Sequence, residues 1–271
     1  MGDPVVLSGS SLNTFLRCQR QWEFAYVWRL QRPPSLKAAR GIAAHRAAEL
    51  DMLERRDTGK HMPKDAVVDV YADTFKVEAA DAEERPDKKE TRDIFLTTGA
   101  QAVEFWYEEV AQPIMPLHVE LHGQFTINGI PYDWTADLID EGPELDEEGQ
   151  PVSSDVGRRI RDWKFVSRTP DSGSEYVLNM TGYAIGARRA LGGAEIGRVL
   201  DHIVLLKQPK YVPIGSGELT DEDIFAFADI VTGAYKSIQA GVFPPTGLKS
   251  NACSWCGYAD GTCTAYKRKR K

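Results

Sequence analysis

The sequence predicts an α/β protein with a helical N-terminal layer, and three observations carry that prediction. Apolar positions recur at helical spacing through roughly the first 110 residues. Residues 119–139 then alternate with period two around Asn128-Gly129, a pair suited to the positive dihedrals of a tight hairpin turn. Strand-like and helix-like segments follow one another from there to residue 239. At 271 residues and 42% hydrophobic content the chain is long and apolar enough to build a sizeable core.

The first helix is capped by Ser10 or Ser11, places Leu12, Phe15, Trp22 and Tyr26 on one stripe, and carries Cys18. Pro33-Pro34 interrupts it, and Ala38 to about Leu53 reads as a second helix bearing Gly41 and His45. Asp65–Ala80 and Thr91–Ala111 are also helical, with Phe95, Val103 and Trp106 as core anchors. Val119–Ile127 and Pro131–Ile139 form the hairpin, an acidic glycine-containing loop follows, and Arg159–Val166 is a third strand. Glu175–Leu191 is a helix and Val199–Lys207 a further strand. Thr220 and Asp223 make a capping box for a helix to Gln239, which Gly241 and Pro244-Pro245 stop. With no internal repeat or low-complexity linker, the chain reads as one domain over 1–271. It divides into a helical layer (1–111), a sheet core (112–210) and a C-terminal helix with a cysteine-bearing segment (211–271).

No window approaches 18 apolar residues and no basic start precedes a hydrophobic run, so neither a membrane span nor a secretory signal is expected and a cytoplasmic location follows. The net charge of −7 argues only mildly against nucleic acid, because binding depends on local charge and not on the sum. Asp81–Glu90 and Asp140–Glu148 read as solvated acid, while Arg158–Arg168 and the tail Lys267–Lys271 concentrate base. The tail fits either a soluble end or a phosphate contact.

Two side-chain sets point to chemistry. Asp162 and Lys164, two apart in a strand, share a face, with Trp163 turned to the opposite layer. Asp137 closes the preceding strand, and an antiparallel return sets it beside Asp162. Two carboxylates and a lysine suit metal-assisted phosphodiester hydrolysis, in which a hard divalent ion polarises the phosphate and acidifies a bound water. His45 adds an imidazole that tilts the preference from Mg²⁺ toward Mn²⁺, and Glu120 could support the metal through a water. Gly41, four residues before His45, allows a backbone to approach that helix face. Taken singly, each has another explanation: a surface ion pair for D-x-K, a solvated histidine, a strand-ending aspartate. The second set is Cys18 with Cys253, Cys256 and Cys263, too few thiols for a disulfide scaffold and too clustered to be incidental.

The chain resembles the RecB-type branch of the PD-(D/E)XK nuclease superfamily, especially its iron–sulfur members, the AddB nuclease domains and the CRISPR-associated RecB-like exonucleases. The matching residues run from Ser8 through Cys18 to Tyr26, then Gly41-Ile-Ala-Ala-His45, Trp134-Thr-Ala-Asp137, Ile160-Arg-Asp162-Trp-Lys164, and Cys253-Ser-Trp-Cys256 with Cys263, in family order over nearly the whole chain. The resemblance implies a restriction-endonuclease-like core, a mixed central β-sheet flanked by helices. It makes His45, Asp137, Asp162 and the Trp163 backbone carbonyl the metal ligands and Lys164 the catalytic lysine, with Tyr183 on the following helix. The family's glutamine four residues before that tyrosine is Asn179 here, which keeps the amide and loses a methylene, so the resemblance implies a shorter contact from that helix. The four cysteines would hold a 4Fe–4S cluster, although the last gap of six residues exceeds the family's usual five; structural Zn²⁺ is the alternative.

The function expected is therefore a Mn²⁺- or Mg²⁺-dependent deoxyribonuclease, an exonuclease on single-stranded DNA ends in a bacterial or phage-infected cell. Its pathway would be recombination, repair or CRISPR DNA processing, with a helicase, recombination or CRISPR adaptation partner. The competing expectation is a non-catalytic DNA-end-binding or scaffold subunit. Arg17, Arg20 and Arg29 are candidates for phosphates and Trp22, Tyr26, Trp28 and Trp255 for stacking on bases, with a core role the stronger reading for Trp22 and Tyr26.

Overall fold

A computed structural model describes residues 5–32, 34–169, 176–193, 196–246 and 252–264 of the chain. The tail 267–271 and the Trp255 side chain, both candidate nucleic-acid contacts, lie outside the described residues, as does Glu175. The chain separates into two compact units, one of 1–32, 124–134 and 221–271, the other of 33–123 and 135–220.

In the first unit, β1 (Leu7–Ser8) pairs in parallel with the start of β3 (Ile130–Leu145), Leu7 beside Tyr132. Helix α1 (Gly9–Arg17) is capped by Ser8 and not by Ser10 or Ser11: the Ser8 hydroxyl accepts from the Ser11 N–H, and Ser11 Oγ accepts from the Ser8 N–H at 2.9 Å. The expected single helix through Cys18 is broken there. Cys18 is extended (φ −163°, ψ 110°) and caps the short α2 (Gln19–Trp22), which runs on into a π-helical turn, Glu23–Val27. Trp22 is core, stacked between Phe243 and Tyr26, but Tyr26 is 43% exposed, against the expectation that it packs inside. Asn128 (φ 50°) and Gly129 (φ 77°) make the expected tight turn between β2 (Pro116–Ile127) and β3. Tyr132 joins Phe125 to Phe227 of α7 (Asp221–Gln239), the long helix of this unit.

The second unit holds the helical layer: α3 (Leu36–Thr58, capped by Ser35 and ended by left-handed Gly59), α4 (Lys64–Glu78) and α5 (Arg92–Phe105), continued by a π-helical turn to Ala111. Phe95, Val103 and Trp106 are buried in its core, as their spacing predicts. The second half of β3 pairs antiparallel with β4 (Pro151–Val166), β4 pairs parallel with β5 (Ile196–Val204), and β5 pairs antiparallel with β6 (Lys210–Glu218), a mixed sheet. Helix α6 (Val177–Ala190) lies between the parallel strands in sequence, the crossover that parallel pairing requires. Trp163 meets Trp106 edge-on at 5.1 Å, which anchors β4 to the helical layer.

Two expectations about charge fail. The segment Asp140–Glu148 is not a solvated loop: β3 continues to Leu145, and Asp140, 1% exposed, accepts from Arg159 Nε at 3.0 Å and Arg161 Nη1 at 3.2 Å. Arg161 also grips Asp201 with two bonds of 2.7 Å. The basic run around Arg158 is thus partly consumed inside the sheet, where buried charge persists only if paired. Strand β6 was not expected, because Pro213, Gly215 and Gly217 read as loop; a strand containing proline is tolerated at a sheet edge.

Candidate functional site

The geometry begins with strand register. Leu138 lies opposite Arg161 in the last pair of the β3–β4 ladder, so the next position would set Asp137 against Asp162. Like charges facing one another across an antiparallel pair are destabilising, and the regular pairing ends there. Asp137 Oδ2 instead accepts from the Trp163 backbone N–H at 3.1 Å. The two strands thereby form a fork with a carboxylate on each arm.

Helix α3 and strand β4 supply the compensating cations. His45 Nδ1 lies 3.1 Å from Asp137 Oδ2, and Lys164 pairs with Asp162. Burial disfavours the Asp137 carboxylate, yet the charges of His45 and Lys164 and the Trp163 N–H hold it below the usual carboxylate range. Asp162 goes the other way: burial and the charge of Asp137 push it up to about 6, more than Lys164 can offset. One lysine cannot satisfy both carboxylates. His45 and Lys164 are themselves raised, since the acids outweigh the burial that disfavours their charge.

Glu120 on β2 adds to the negative field. Burial, Asp137 and Glu49 push it up to about 7, and its backbone is left-handed (φ 49°), a strained state for a non-glycine residue. Glu49 stands one turn after His45 on α3, on the same face, and bonds Arg46 at 2.6 Å. Tyr176 stands against the lysine, its ring centroid 5.3 Å from Lys164 Nζ and 5.9 Å from the His202 ring. His202 is the β5 residue in register with Lys164.

The structure therefore brings His45, Asp137, Asp162 and Lys164 together and adds Glu120 at their edge. Asn179 and Tyr183 sit one turn apart on α6, both partly exposed. Arg17 donates to Gln21 Oε1 at 3.2 Å and Arg20 to Glu23 at 2.6 Å, both in the first unit. Glu49, Tyr176 and His202 were missed by sequence reasoning. The first had a readable signal, its i+4 spacing from His45; the other two become visible only once β4 and β5 are known to pair.

Hard oxygen donors with an imidazole suit Mg²⁺ or Mn²⁺, and the convergent carboxylates of Asp137 and Asp162 are groups that a divalent cation could join. Among the described residues, however, no three His, Cys, Asp or Glu side chains are already disposed as a metal cage. Lys164 and His45 engage the carboxylates directly.

The cysteines form a second locus, in the first unit. None of the four is in a disulfide. Burial and the charges of Cys18, Cys256 and Cys263 push the Cys253 thiol up, so the four share one electrostatic neighbourhood. Burial likewise raises Cys256. Cys18 differs: against burial, hydrogen bonds from Thr246 and the backbone of Gln21 and Arg20 hold its thiol below the ordinary range. The C-terminal segment is tied down by Tyr258, whose hydroxyl donates to Leu30 O at 3.1 Å and whose ring carries the Arg32 guanidinium at 3.9 Å. A side chain at Gly257 would meet the Arg32 guanidinium, which would have to swing aside.

A sequence model of the PD-(D/E)XK nuclease superfamily matches residues 6–261 of this chain. No curated protein matches it. Among solved structures, a crystal structure of a protein from Eubacterium rectale, provisionally described as an exonuclease, is similar with a TM-score of 0.57. The two are 12% identical, over 89% of this chain and 83% of that one, a likeness of fold. No helix among the described residues is long and apolar enough to cross a membrane.

Proposed function

The chain belongs to the PD-(D/E)XK nuclease superfamily, and on that premise we propose that it is a Mn²⁺- or Mg²⁺-dependent deoxyribonuclease whose single active site is the β3–β4 fork. The observation that carries this reading is the convergence of Asp137 and the buried Asp162 just beyond the last β3–β4 pair, with His45 and Lys164 as their cation partners among the described residues. A stable fold has little reason to oppose like charges unless a cation is meant to join them.

Asp137, Asp162 and His45, with the Trp163 carbonyl, are the ligand set, and Glu120 acts at its margin through a water. A bound divalent ion would polarise the phosphate and lower the pKa of a bound water. Lys164 Nζ orients that water or offsets charge that develops on the phosphate oxygens. Tyr183 and Asn179 are placed on α6 to meet the DNA strand, with Arg17 and Arg20 as further phosphate contacts. One site per chain suits stepwise trimming of a single-stranded end, the reading that fits an exonuclease in recombination, repair or CRISPR processing. On this reading the segments 1–111, 112–210 and 211–271 serve one nuclease domain. The four cysteines hold a 4Fe–4S cluster, as in the AddB and CRISPR-associated branch, with structural Zn²⁺ as the alternative.

The test is digestion of end-labelled single strands with Mn²⁺, wild type beside Asp162→Ala and Lys164→Ala. Wild-type cleavage lost in both variants supports the site; equal cleavage in all three, or none in the wild type, sinks it. Iron, sulfide and zinc analysis of the purified protein decides the cysteine centre.

A further inference from the structure

Tyr176 stands at a helix end that its side chain does not cap. It is the N-cap residue of α6, a position that favours Ser, Thr, Asp or Asn, whose short side chains can accept a free N–H of the first turn. The Tyr176 side chain makes no cap bond; its backbone C=O accepts from the Met180 N–H at 3.0 Å. The ring is partly exposed, so filling of the core does not account for an aromatic residue there either.

The ring instead faces the fork. Lys164 Nζ lies over it, 5.3 Å from the centroid, within the roughly 6 Å over which an aromatic face attracts a cation. The same ring meets His202 at 5.9 Å between centroids, tilted by 56°. Lys164 and His202 are register partners on the parallel strands β4 and β5, so their side chains rise together from one face of the sheet. His202 is fully buried, in a strand whose nine residues are all buried, and so gives the ring a fixed surface to rest on.

Lysine needs such support more than the acids around it do, because its ammonium is a point charge on a long flexible stem. Its ion-pair partner, Asp162, is one anchor. On the reading above Asp162 also serves a divalent ion, so its hold on the ammonium is shared. The hold of the ring is not.

We infer that Tyr176 is a positioning residue: its ring face, set by His202, holds the Lys164 ammonium where it acts on the phosphate or the attacking water. This rests on the nuclease reading and extends it to a residue outside the ligand set.

Five proteins test it: wild type, Tyr176→Phe, Tyr176→Leu, Lys164→Ala and the double variant Lys164→Ala/Tyr176→Leu. One readout is Mn²⁺-dependent cleavage of an end-labelled single strand. The other, taken without metal, is the NMR spectrum of isotope-labelled lysine ε-methylene groups, in which Lys164→Ala identifies the Lys164 signal. Ring shielding should displace that signal upfield in wild type and Tyr176→Phe but not in Tyr176→Leu. Tyr176→Leu should lower kcat about tenfold, the worth of one partly desolvated cation–π contact. Its KM should stay within about twofold of wild type, since the strand itself is still bound. Tyr176→Phe should recover most of the rate, because the ring and not the hydroxyl faces the lysine. The double variant should be no slower than Lys164→Ala alone, because the ring acts through the lysine.

A Tyr176→Leu protein with wild-type kcat, an equal loss in Tyr176→Phe, or a loss that multiplies on top of Lys164→Ala would each overturn the inference. So would an unshifted Lys164 signal in wild-type protein that cleaves. Wild-type protein that shows the shifted signal and never cleaves with Mn²⁺ is distinguishable: it defeats the nuclease reading, and with it the role given to the lysine, while the contact of ring and ammonium stands.

Discussion

The fork and the cysteine end concentrate metal-type donors in opposite ways. At the fork, each donor sits on a regular element whose position is fixed by core packing: His45 on α3, Asp137 on β3, Asp162 and Lys164 on β4. The charges there are compensated from within, imperfectly, by His45 and Lys164. At the cysteine end, three donors lie on or beside the four-residue α8 (Ala252–Trp255) and a short 3₁₀ turn, and Cys253 and Cys256 are raised by burial and by the other thiols. At Cys18 hydrogen bonds from Thr246 and the backbone outweigh burial, whereas the single backbone bond from Tyr258 does not do so at Cys256. On the function proposed above, the difference would separate a site that folds first and then takes an ion from a segment that needs its ion in order to hold.

The largest effect that could break this contrast is on stability. Joining Cys18 to the C-terminal thiols through a metal closes a loop of about 235 residues, worth roughly 5 kcal/mol on a chain-entropy account, comparable with a whole domain's net stability. Cys256→Ala should therefore lose soluble yield and shift the melt of the first unit before it changes chemistry at the fork. Thermal melts followed at Trp fluorescence, beside metal content, measure this. A Cys256→Ala protein as stable as wild type would show that the thiols staple nothing.

Next comes activity. Asp162→Asn and Lys164→Ala should each reduce Mn²⁺-dependent cleavage by about 10²–10³-fold, the scale of losing one electrostatic contributor. They should part company in stability. Asp162→Asn removes one of two opposed carboxylates and should melt within a few degrees of wild type. Lys164→Ala strands both and should cost on the order of 3 kcal/mol. Equal destabilisation by the two would mean that the opposition of Asp137 and Asp162 is not under strain.

A smaller effect sharpens the same line. Washing Mn²⁺ from the fork with EDTA should abolish cleavage and leave the melting temperature within about 2 °C, because the fork's elements are held by the core around Trp106 and Trp163. A large fall on chelation would place the fork in the same class as the cysteine end, unless metal analysis shows that EDTA also stripped the thiols.

The contrast also explains what the sequence could disclose. Strand parity put Asp162 and Lys164 on one face and Trp163 on the other, and helix periodicity put Phe95, Val103 and Trp106 in the core, because both are local rules. The Asn128-Gly129 turn was legible for the same reason: its two residues tolerate positive φ. Nonlocal facts were not. Asp140 looked solvated in an acidic run until β3 proved long enough to carry it beneath Arg159 and Arg161. Tyr176 and His202 acquire meaning only from the β4–β5 register, and Cys18 seemed helical because the break there has no glycine or proline to announce it.

The smallest predicted effect concerns a buried acid in the fork's own unit that has no catalytic part. Asp51 is fully buried, accepting from the Met62 N–H at 2.9 Å and lying 2.7 Å from His61 Nδ1. Burial raises its pKa despite His61 and the Met62 N–H. A carboxyl with a folded pKa above its unfolded value binds its proton more tightly when folded, so it favours folding most at low pH and that contribution is lost as pH rises through the folded value. Asp51→Asn cannot ionise and lacks this dependence. Urea unfolding of both proteins from pH 4 to pH 7 should show wild type losing stability relative to Asp51→Asn as pH rises, with cleavage at the fork unchanged in ratio. The opposite slope would mean that the His61 contact outweighs burial, making Asp51 an acid like Asp137, whose pKa is lowered, and not one like Asp162, which burial keeps raised despite its partner.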